Sequence, residues 1–373
     1  MPLQLVRIAH ATFEVALIKI EIPQDKEAFN DFLRLYERVH TARNAYWQPA
    51  TRFEMAVLCK ESAFNKERTV QPLVACERGQ VVARVLAVVD ARYQRHWHER
   101  LGHLCWFEAL PGKREAVKLL MNEACDWLRG KGATAARAGH GMLEFPFVID
   151  EYEALPPNVL RLNPPYYHSL LKDAGFESEK GFVDYKIEVR PELLARWVGM
   201  LEAARRAGYA ILPLRDVPEQ RRVQNFVTTF NDTFKSHWGW SPYSETEMGG
   251  LLKSLARIGV LDTSVLAYRD DQPVGMLLLV PEHNTEVVLK PERTVREDER
   301  LNVLAIGVRE SDRGRGVNLA MASYGYLELV RRGAKYLSYT LVLDDNWPSR
   351  RTAEKLGASV CANYVAYRRN FSK

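Results

Sequence analysis

Apolar and polar positions in the second half of the chain follow a regular order of short apolar runs and amphipathic stretches. Apolar runs of strand length indicate strands, and apolar positions that recur about every 3.6 residues indicate helices. The pattern predicts strands at 209–216, 265–280 (a pair), 301–308, 335–343 and 358–369 (two closing strands), and helices at 219–236, 245–258, 314–332 and 347–356. The turn RDDQPVG makes its strand pair antiparallel, whereas the later strand, helix and strand unit requires a parallel crossover. The expected fold class is α/β, with a mixed sheet covered by helices on both faces.

The first half repeats this plan in diverged sequence. The stretch LLKDAGFESEKGFVDYKI, residues 170–187, shares its frame with TAEKLGASVCANYVAYRR, residues 352–369. Upstream, FEALPGKREAVKLLMNEACDWLRGKGA aligns without a gap with VRESDRGRGVNLAMASYGYLELVRRGA, so that Phe107 matches Val308. A repeat on this scale indicates two copies of one structural unit. We expect a first domain at 1–190, a connecting helix at 191–207 and a second domain at 208–373.

Composition and charge are those of a globular intracellular protein. The 373 residues are 47% apolar and 27% charged, which excludes a disordered chain and favours two domains. The net charge of +5 is too diffuse for a nucleic-acid groove but is compatible with anionic ligands. Five widely spaced cysteines argue against a disulfide framework, and charges interrupt the apolar stretches near the N-terminus. We expect a cytoplasmic protein with neither a nucleic-acid nor a membrane partner.

The stretch ESDRGRGVNLAMA, residues 310–322, is the strongest chemical signal in the sequence. It follows an apolar run and opens a helix, where backbone N–H groups have no intrahelical partner. Gly314 and Gly316 remove side chains that would block a ligand, and Arg313 and Arg315 add positive charge. These features predict a binding site for a diphosphate.

Other interpretations of this turn fit less well. A Walker loop requires Gly-Lys before Ser or Thr, but Gly316 is followed by Val317. A dinucleotide-binding fold requires a third glycine where Leu319 stands, at the head of successive βαβ units. A purely structural alternative is a flexible helix entry with solvated arginines.

From Arg313 to Asn318 the sequence resembles the Arg-x-x-Gly-x-Gly/Ala acyl-CoA pyrophosphate loop of the GCN5-related N-acetyltransferases. Asn346 and the Lys-Leu-Gly that ends the following helix are similar to the next helix of that superfamily. The order of predicted elements from 209 to 369 matches its fold, and the first half matches as a scaffold. The chain therefore resembles a tandem member of this superfamily.

The resemblance implies two acyltransferase domains, acetyl-CoA or another acyl-CoA as cosubstrate, an amine acceptor and no metal. It assigns to acyl-CoA the residues Ile306, Val308, Arg313, Gly314, Arg315, Gly316, Val317, Asn318 and Asn346. Two positions depart from the family pattern. Asn318 stands where Gly or Ala is usual, and Ala353 stands where a tyrosine usually reprotonates the CoA thiolate. The substitute acid would be another tyrosine: Tyr324, Tyr326, Tyr339, Tyr364 or Tyr367, of which we take Tyr364 as the candidate, although packing is the default role of all of them.

Aromatic residues are concentrated in NDTFKSHWGWSPYSETEMGGLL, where the resembled family builds its acceptor pocket. Trp238, Trp240 and Tyr243 are expected to line this pocket. His237 or Glu245 is the candidate base that takes a proton from the amine. An alternative that coexists with a pocket is a Trp-rich core corner, with the serine of this segment in a helix capping box.

The first half lacks the phosphate turn. In the gapless alignment Gly112 matches Arg313 and Glu115 matches Gly316, which puts a carboxylate near the position of the diphosphate. Like charges about 4 Å apart cost on the order of 4 kcal/mol at an effective dielectric constant of about 20. We therefore expect a degenerate first copy and one acyl-CoA site per chain, in the second half.

Two other function classes compete with this interpretation. An aminoacyl-tRNA-dependent transferase of the Fem type would use the tandem scaffold without a CoA loop. A non-catalytic acyl-CoA-binding protein would explain Ala353. His96, His98 and His103 lack a completing ligand at metal-site spacing and are expected to be solvated loop histidines. Further candidate bases are Glu282, His283, Glu286 and Glu292, for which a charged loop is the default.

Overall fold

The computed structural model describes residues 18–40, 51–153, 163–257, 259–280 and 303–371. Its strands are β1 (Ile18–Glu21), β2 (Arg68–Glu77), β3 (Gln80–Asp90), β4 (Leu101–Ala109), β5 (Ala135–Ala138), β6 (Phe147–Val148), β7 (Glu177–Glu188), β8 (Ala210–Pro213), β9 (Val265–Arg269), β10 (Gln272–Val280), β11 (Val303–Val308), β12 (Tyr336–Leu343) and β13 (Ser359–Asn370). Its helices are α1 (Lys26–Val39), α2 (Thr51–Leu58), α3 (Ala91–Trp97), α4 (Arg114–Gly130), α5 (Tyr167–Asp173), α6 (Pro191–Arg206), α7 (Glu219–Phe234), α8 (Glu245–Ala256), α9 (Val260–Thr263), α10 (Val317–Arg331) and α11 (Trp347–Lys355).

These strands form two sheets. The larger sheet has the order β1-β2-β3-β4-β5-β13-β7-β12, with β6 paired to β13, and the smaller has the order β11-β10-β9-β8. The pair β9 and β10 is antiparallel, as its turn predicts, with Leu277 opposite Val265. Strands and helices alternate along the chain and the larger sheet is mixed, with β4 and β5 parallel, which confirms the α/β fold class.

The two halves exchange their last strands. Strand β7, from the first half, pairs with β12 of the second half, and β13 lies between β5 and β7. The prediction of two closing strands at 358–369 is wrong. A single strand, β13, pairs with β7 from Ser359 to Arg368, and its two shifts in register are bulges and not a turn. The proposed division at residues 190 and 208 stays a prediction, since the sheet interleaves strands from both sides of it.

A gap separates the strands that were expected to form a parallel pair in the second half. In the first half β4 and β5 are parallel, and their pairing ends with Leu104 opposite Ala138. The equivalent strands β11 and β12 belong to different sheets in the described part of the chain. The expected pair is not observed: β11 is hydrogen-bonded to β10, and β12 to β7.

Helices cover both faces of the two sheets. Helices α4 and α5 cover one face over the first half, and α6, α10 and α11 continue that layer over the second. Helices α1 and α2, then α7 and α8, form separate clusters on the opposite side. The expected connecting helix is observed as α6, where Trp197 contacts Tyr326 of α10 with ring centroids 5.5 Å apart. Phe182 and Tyr364 pair across β7 and β13 and belong to a further cluster, here called the central cluster, with Val148 and Leu343.

Candidate active site

The Arg-Gly turn enters α10 in an open conformation. Gly314 and Gly316 have φ angles of 77° and 79°, in the left-handed region that glycine adopts without strain. Gly316 is the N-cap of α10, and no described side chain caps this end. No atom of the described residues lies within 4 Å of a Cβ built at either glycine. The turn therefore offers helix N–H groups and open space to an anion.

Side chains behind the turn hold it in place. Arg313 donates its Nε–H to the carbonyl oxygen of Val308 at 3.1 Å. Asp312 is buried and accepts a hydrogen bond from the Tyr209 hydroxyl at 2.9 Å. Arg313 and Arg315 are both exposed. The turn thus keeps two positive charges at the surface beside the start of α10.

Helix α11 lies next to the start of α10. The Asn346 side chain caps α11 by accepting the Ser349 N–H at 3.3 Å. Asn318 donates its amide N–H to the Thr352 hydroxyl at 3.1 Å, which ties the two helices together. Ala353 is fully buried in the core that includes α10 and α11. Both asparagines of the expected acyl-CoA set therefore lie at the starts of these adjacent helices.

Helix α7 closely covers the β11 side of the gap. A Cβ at Gly307 would lie 2.3 Å from Thr233 Oγ1, so this approach requires glycine. Ile306 is partly buried and Val308 is buried. Among the described strands, β11 pairs with β10 alone. Its other edge, which faces the gap, can therefore offer backbone groups to a ligand.

The acceptor loop, residues 235–244, joins α7 to α8. Trp240 packs against Phe230 and Phe234 with ring centroids 4.8 and 5.3 Å apart, and Tyr243 lies 5.7 Å from Trp240. This packing agrees with the alternative interpretation of the segment as a Trp-rich corner of the core. Pocket lining by Trp240 and Tyr243 stays a prediction.

Trp238 points from the acceptor loop to the first half. Its ring centroid lies 4.9 Å from that of His140 and 5.9 Å from that of Phe182, and the Arg137 guanidinium lies 4.1 Å from it. Gly239 permits this contact, because a Cβ there would lie 2.4 Å from an atom of the His140 ring. Trp238 also packs against the central cluster. The predicted pocket residue therefore lies where the two halves meet.

The two candidate bases have different environments. His237 Nδ1 lies 3.2 Å from the carbonyl oxygen of Trp238, and burial lowers the pKa of His237 below its usual value. The imidazole is therefore neutral at neutral pH, as a proton acceptor must be. Glu245 is exposed in the first turn of α8. His237 is partly buried, whereas Glu245 is exposed. The catalytic role of either residue stays a prediction.

Glu247 has two structural roles. It forms the expected capping box with Ser244, whose Oγ accepts the Glu247 N–H at 3.2 Å while Glu247 accepts the Ser244 N–H at 2.9 Å. It also forms ion pairs with Arg68 and Arg92 of the first half. Burial opposes ionisation, but the Ser244 N–H and the two guanidinium groups hold the pKa of Glu247 below its usual value.

Helix α3 of the first half holds the acceptor loop through further contacts. Trp97 donates its Nε1–H to the carbonyl oxygen of Trp240 at 2.6 Å. Ser241 donates its hydroxyl to Asp90, the N-cap of α3, at 2.8 Å. The acceptor loop is therefore fixed by side chains of the other half.

Sequence reasoning missed Asp184, which lies on β7 beside β12. Its carboxyl group is fully buried and accepts the Leu341 N–H at 2.8 Å. Leu341 has a φ of 55° within a bulge of β12. Tyr364 of β13 lies near Asp184, and burial raises the pKa of Asp184 to about 7. The available signal was an acid inside the strand FVDYKI, whose neighbours are apolar or aromatic.

The equivalent gap of the first half is occupied by the chain itself. Glu144 accepts the Trp106 N–H at 2.5 Å and the Phe145 N–H at 3.1 Å. The alignment matches Trp106 with Gly307, on the strand that borders the second gap. A cavity between Glu144 and Phe147 has a volume of about 10 Å³, about the space of one water molecule.

The three histidines of HWHERLGH lie in different environments. His96 on α3 lies 2.6 Å from the carbonyl oxygen of Lys235, and His98 is the C-cap of α3. The expectation of a solvated loop residue is wrong for His103, because the apolar strand β4 includes it and buries it. Within the described residues, no group of His, Cys, Asp and Glu is arranged to hold a metal ion. The loop candidates Glu282, His283, Glu286 and Glu292 lie outside the described residues.

The fold is that of the GCN5-related N-acetyltransferases, present twice in tandem. The chain matches a tandem GNAT protein from the clavulanic acid biosynthesis pathway with a TM-score of 0.56 and 10% identity, over 96% of this chain and 99% of that one. It matches a GCN5-related N-acetyltransferase from Sphaerobacter thermophilus with a TM-score of 0.54 and 14% identity, over 95% of both chains. It also matches a glucosamine N-acetyltransferase region of a fungal multi-domain β-N-acetylglucosaminidase with a TM-score of 0.59 and 14% identity. That match covers 95% of this chain and 38% of the other. At such identities these likenesses show the fold alone.

Two proteins are similar in sequence. The chain is 23% identical over 386 aligned residues to the bacterial ceramide synthase of Caulobacter vibrioides, covering 95% of this chain and 97% of that protein. It is 21% identical over 328 residues to protein YghO of Escherichia coli, and the alignment covers 80% of this chain and 81% of that protein. No family profile matches the chain. Of the helices in the described ranges, none has both the length and the apolar character needed to cross a membrane.

Proposed function

We propose that this protein is an acyl-CoA-dependent N-acyltransferase whose active site lies in the second half. The observation that carries the proposal is the open Arg-Gly turn at the start of α10, beside the gap between β11 and β12. A diphosphate at Gly314 and Gly316 would direct the rest of acyl-CoA into that gap. The proposed location is the cytoplasm.

The reaction needs an amine held beside a polarised thioester. His237 takes a proton from the ammonium form of the acceptor, so that a neutral amine attacks. Backbone N–H groups of β11, near Ile306 and Val308, polarise the thioester carbonyl. The carbon–nitrogen bond forms, the carbon–sulfur bond breaks, and no covalent enzyme intermediate is required.

Gly316→Glu tests the phosphate turn, because it introduces the residue that the first half carries at the matching position. We expect acyl-CoA binding to be abolished, since the new carboxylate would lie beside the diphosphate. The left-handed φ adds a stability cost of about 1–2 kcal/mol. Calorimetric titration with acetyl-CoA measures the binding, and circular dichroism checks the fold.

Gly112→Glu is the matched control. Gly112 has a φ of 75°, and a Cβ placed there, like one at Gly316, would have no atom within 4 Å in the part of the chain that the structure describes. It should therefore show a similar loss of stability and the affinity of the parent protein for acetyl-CoA. Unchanged affinity in a folded Gly316→Glu variant would refute the assignment of the turn.

The acyl group and the acceptor define two candidate reactions. Acetyl transfer to an amine is the reaction implied by the family resemblance. A ceramide is the amide of a fatty acid and a long-chain amino alcohol. Similarity to a bacterial ceramide synthase over 95% of the chain therefore favours, as a second candidate, fatty-acyl transfer to a long-chain amine.

A ligand panel separates these candidates and their rivals. Thermal shifts with acetyl-CoA, octanoyl-CoA, palmitoyl-CoA and free CoA report which donor stabilises the folded state. Release of free thiol in the presence of short-chain and long-chain amines then reports turnover. Binding without turnover for any amine would indicate the non-catalytic alternative, and failure to bind any CoA ester would favour a transferase of the Fem type.

A further inference from the structure

The tip of the acceptor loop, residues 237–239, rests on a histidine of the first half. This residue, His140, comes two residues after the end of β5, just beyond the last paired residues of β4 and β5, Leu104 and Ala138. A Cβ built at Gly239 would lie 2.4 Å from Cε1 and 2.6 Å from Nδ1 of the His140 ring. The contact is so close that a side chain at position 239 would displace either the loop or the ring.

The His140 ring supports the loop through its surface and not through a hydrogen bond from Nδ1. This nitrogen is buried and has no hydrogen-bond partner among the described residues. The ring is stacked on Phe182, with centroids 5.5 Å apart and planes 12° apart, and it packs against Trp238. The backbone carbonyl oxygen of His140 lies 3.1 Å from Nδ1 of His103. The ring is therefore held in place under the tip of the loop.

The peptide group that rests on His140 also orients the candidate base. The carbonyl oxygen of Trp238 belongs to the peptide that joins Trp238 to Gly239, and it lies 3.2 Å from His237 Nδ1. A carbonyl oxygen accepts hydrogen bonds and cannot donate them, so this contact puts the proton of the neutral imidazole on Nδ1. The Nε2 lone pair is then available to take a proton. Support of Gly239 by His140 thus fixes the group that sets the His237 tautomer.

On its other side His237 is connected to the gap. Its ring centroid lies 5.4 Å from that of Phe234, the last residue of α7. A Cβ at Gly307 of β11 would lie 3.1 Å from the Phe234 ring, so α7 ends against the strand that borders the gap. His237 is therefore held between two supports, which are the end of α7 on β11 and the His140 ring under the loop tip.

We propose that His140 is a positioning residue for the reaction in the second half. This inference rests on the proposed function, in which His237 takes the proton of the acceptor amine. The His140 ring carries the peptide between Trp238 and Gly239, and the carbonyl oxygen of that peptide holds the Nδ1 proton of His237. Without the ring, the loop tip loses its support and His237 its orientation. The first half, whose own gap is occupied by Glu144, thus serves catalysis as a platform for the acceptor loop.

Gly239→Ala tests the contact, because the added methyl group would overlap the His140 ring. We expect kcat for the amine to fall at least ~10-fold, since about 1 Å of misplacement can cost ~100-fold. The affinity for acetyl-CoA should be unchanged, because the phosphate turn and β11 keep their structure. Steady-state kinetics measure kcat, and calorimetric titration measures the affinity.

Gly79→Ala is the matched control for backbone strain. Gly79 lies in the turn between β2 and β3 with a φ of 75°, close to the 76° of Gly239. A Cβ there would have no described atom within 4 Å. The control should show the stability cost of a left-handed alanine alone and keep the parent kcat. A Gly239→Ala variant with kcat within about twofold of the parent would overturn the inference.

Removal of the ring gives a second comparison. His140→Ala alone should lower kcat about 10-fold, because the loop tip is no longer supported. In that background Gly239→Ala should lower kcat by less than about twofold more, since the methyl group no longer meets a ring; residues in contact show such non-additive effects. An equal effect of Gly239→Ala in the parent protein and in His140→Ala would contradict the role of His140.

A measurement without turnover separates failure of this inference from failure of the proposed function. NMR spectra of the protein with isotope-labelled histidine report which ring nitrogen of His237 carries the proton, and the signal lost in His237→Gln assigns it. At a pH of about 8, where the imidazole is neutral, we expect Nδ1–H in the parent protein and a mixture of tautomers in Gly239→Ala and His140→Ala. If the parent protein acylates no amine, the proposed function fails, whereas the tautomer still reports whether His140 holds His237. An Nε2–H tautomer in the parent protein, or the same tautomer in all three proteins, would overturn the inference whatever the reaction is.

Discussion

Asp184 shows how one buried side chain couples stability to pH. Burial raises its pKa to about 7, from 3.8 for an unperturbed aspartate. The folded chain therefore holds a proton that the unfolded chain releases between these pH values, so the free energy of unfolding falls as pH rises from about 4 to 7. At 1.36 kcal/mol per pKa unit, this penalty is on the order of 4 kcal/mol above pH 7.

Asp184→Asn removes this penalty and should therefore stabilise the chain at alkaline pH. We expect the variant to melt at a higher temperature than the parent protein at pH 8 and at nearly the same temperature at pH 4. Calorimetric melting curves across this range measure the difference. A difference in melting temperature that does not change with pH would mean that Asp184 is not protonated in the folded state.

Residues whose roles depend on local geometry could be predicted from the sequence. Gly316 at a helix start and the capping box of Ser244 follow from backbone preferences within a few residues. The partners of Asp184 could not be predicted, because they come from β12 and β13, far along the chain. His103 was misplaced for a related reason, since only the sheet shows that β4 extends through it.

At the scale of elements, the acceptor loop depends on contacts from the other half. Its aromatic composition was visible in the sequence, but its anchors on α3 and Asp90 were not, because they form between halves. The strands and helices themselves were largely predicted by apolar periodicity. The parallel pair and the closing strands were wrong, since hydrogen bonding between strands distant in sequence decides both.

Ser241→Ala removes one anchor of the acceptor loop and leaves Asp90 paired with Arg68. We expect KM for the amine to rise about 3–10-fold, from loss of a hydrogen bond to a charged group, with little change in acyl-CoA affinity. Steady-state kinetics with each substrate varied in turn measure the two effects. Ser169→Ala, an exposed serine on α5, is the control and should change neither constant. A rise in acyl-CoA KM alone would show that the loop serves the other substrate.

At the scale of the whole molecule, strand exchange joins the two copies into one sheet. The repeat and the tandem fold could be predicted, because matching apolar frames survive sequence divergence. The exchange of strands could not be predicted, because β7 and β13 have the same pattern of apolar and polar residues. Each of them could equally have paired with strands of its own half. It is this choice that places Asp184 of the first copy against β12 of the second.

The differences between the two halves at the gap and at the helix start predict about one acyl-CoA site per chain. In the first half the Trp106 N–H is already bound by Glu144, and Glu115 stands at the helix start where the second half has Gly316. Since both the gap and the phosphate turn are lost there, Glu115→Gly alone should not create a second site. Calorimetric titration of the parent protein and of Glu115→Gly with acetyl-CoA should give the same stoichiometry, close to one. A stoichiometry near two in the parent protein would contradict the assignment, because it would require acyl-CoA to displace Glu144 from β4.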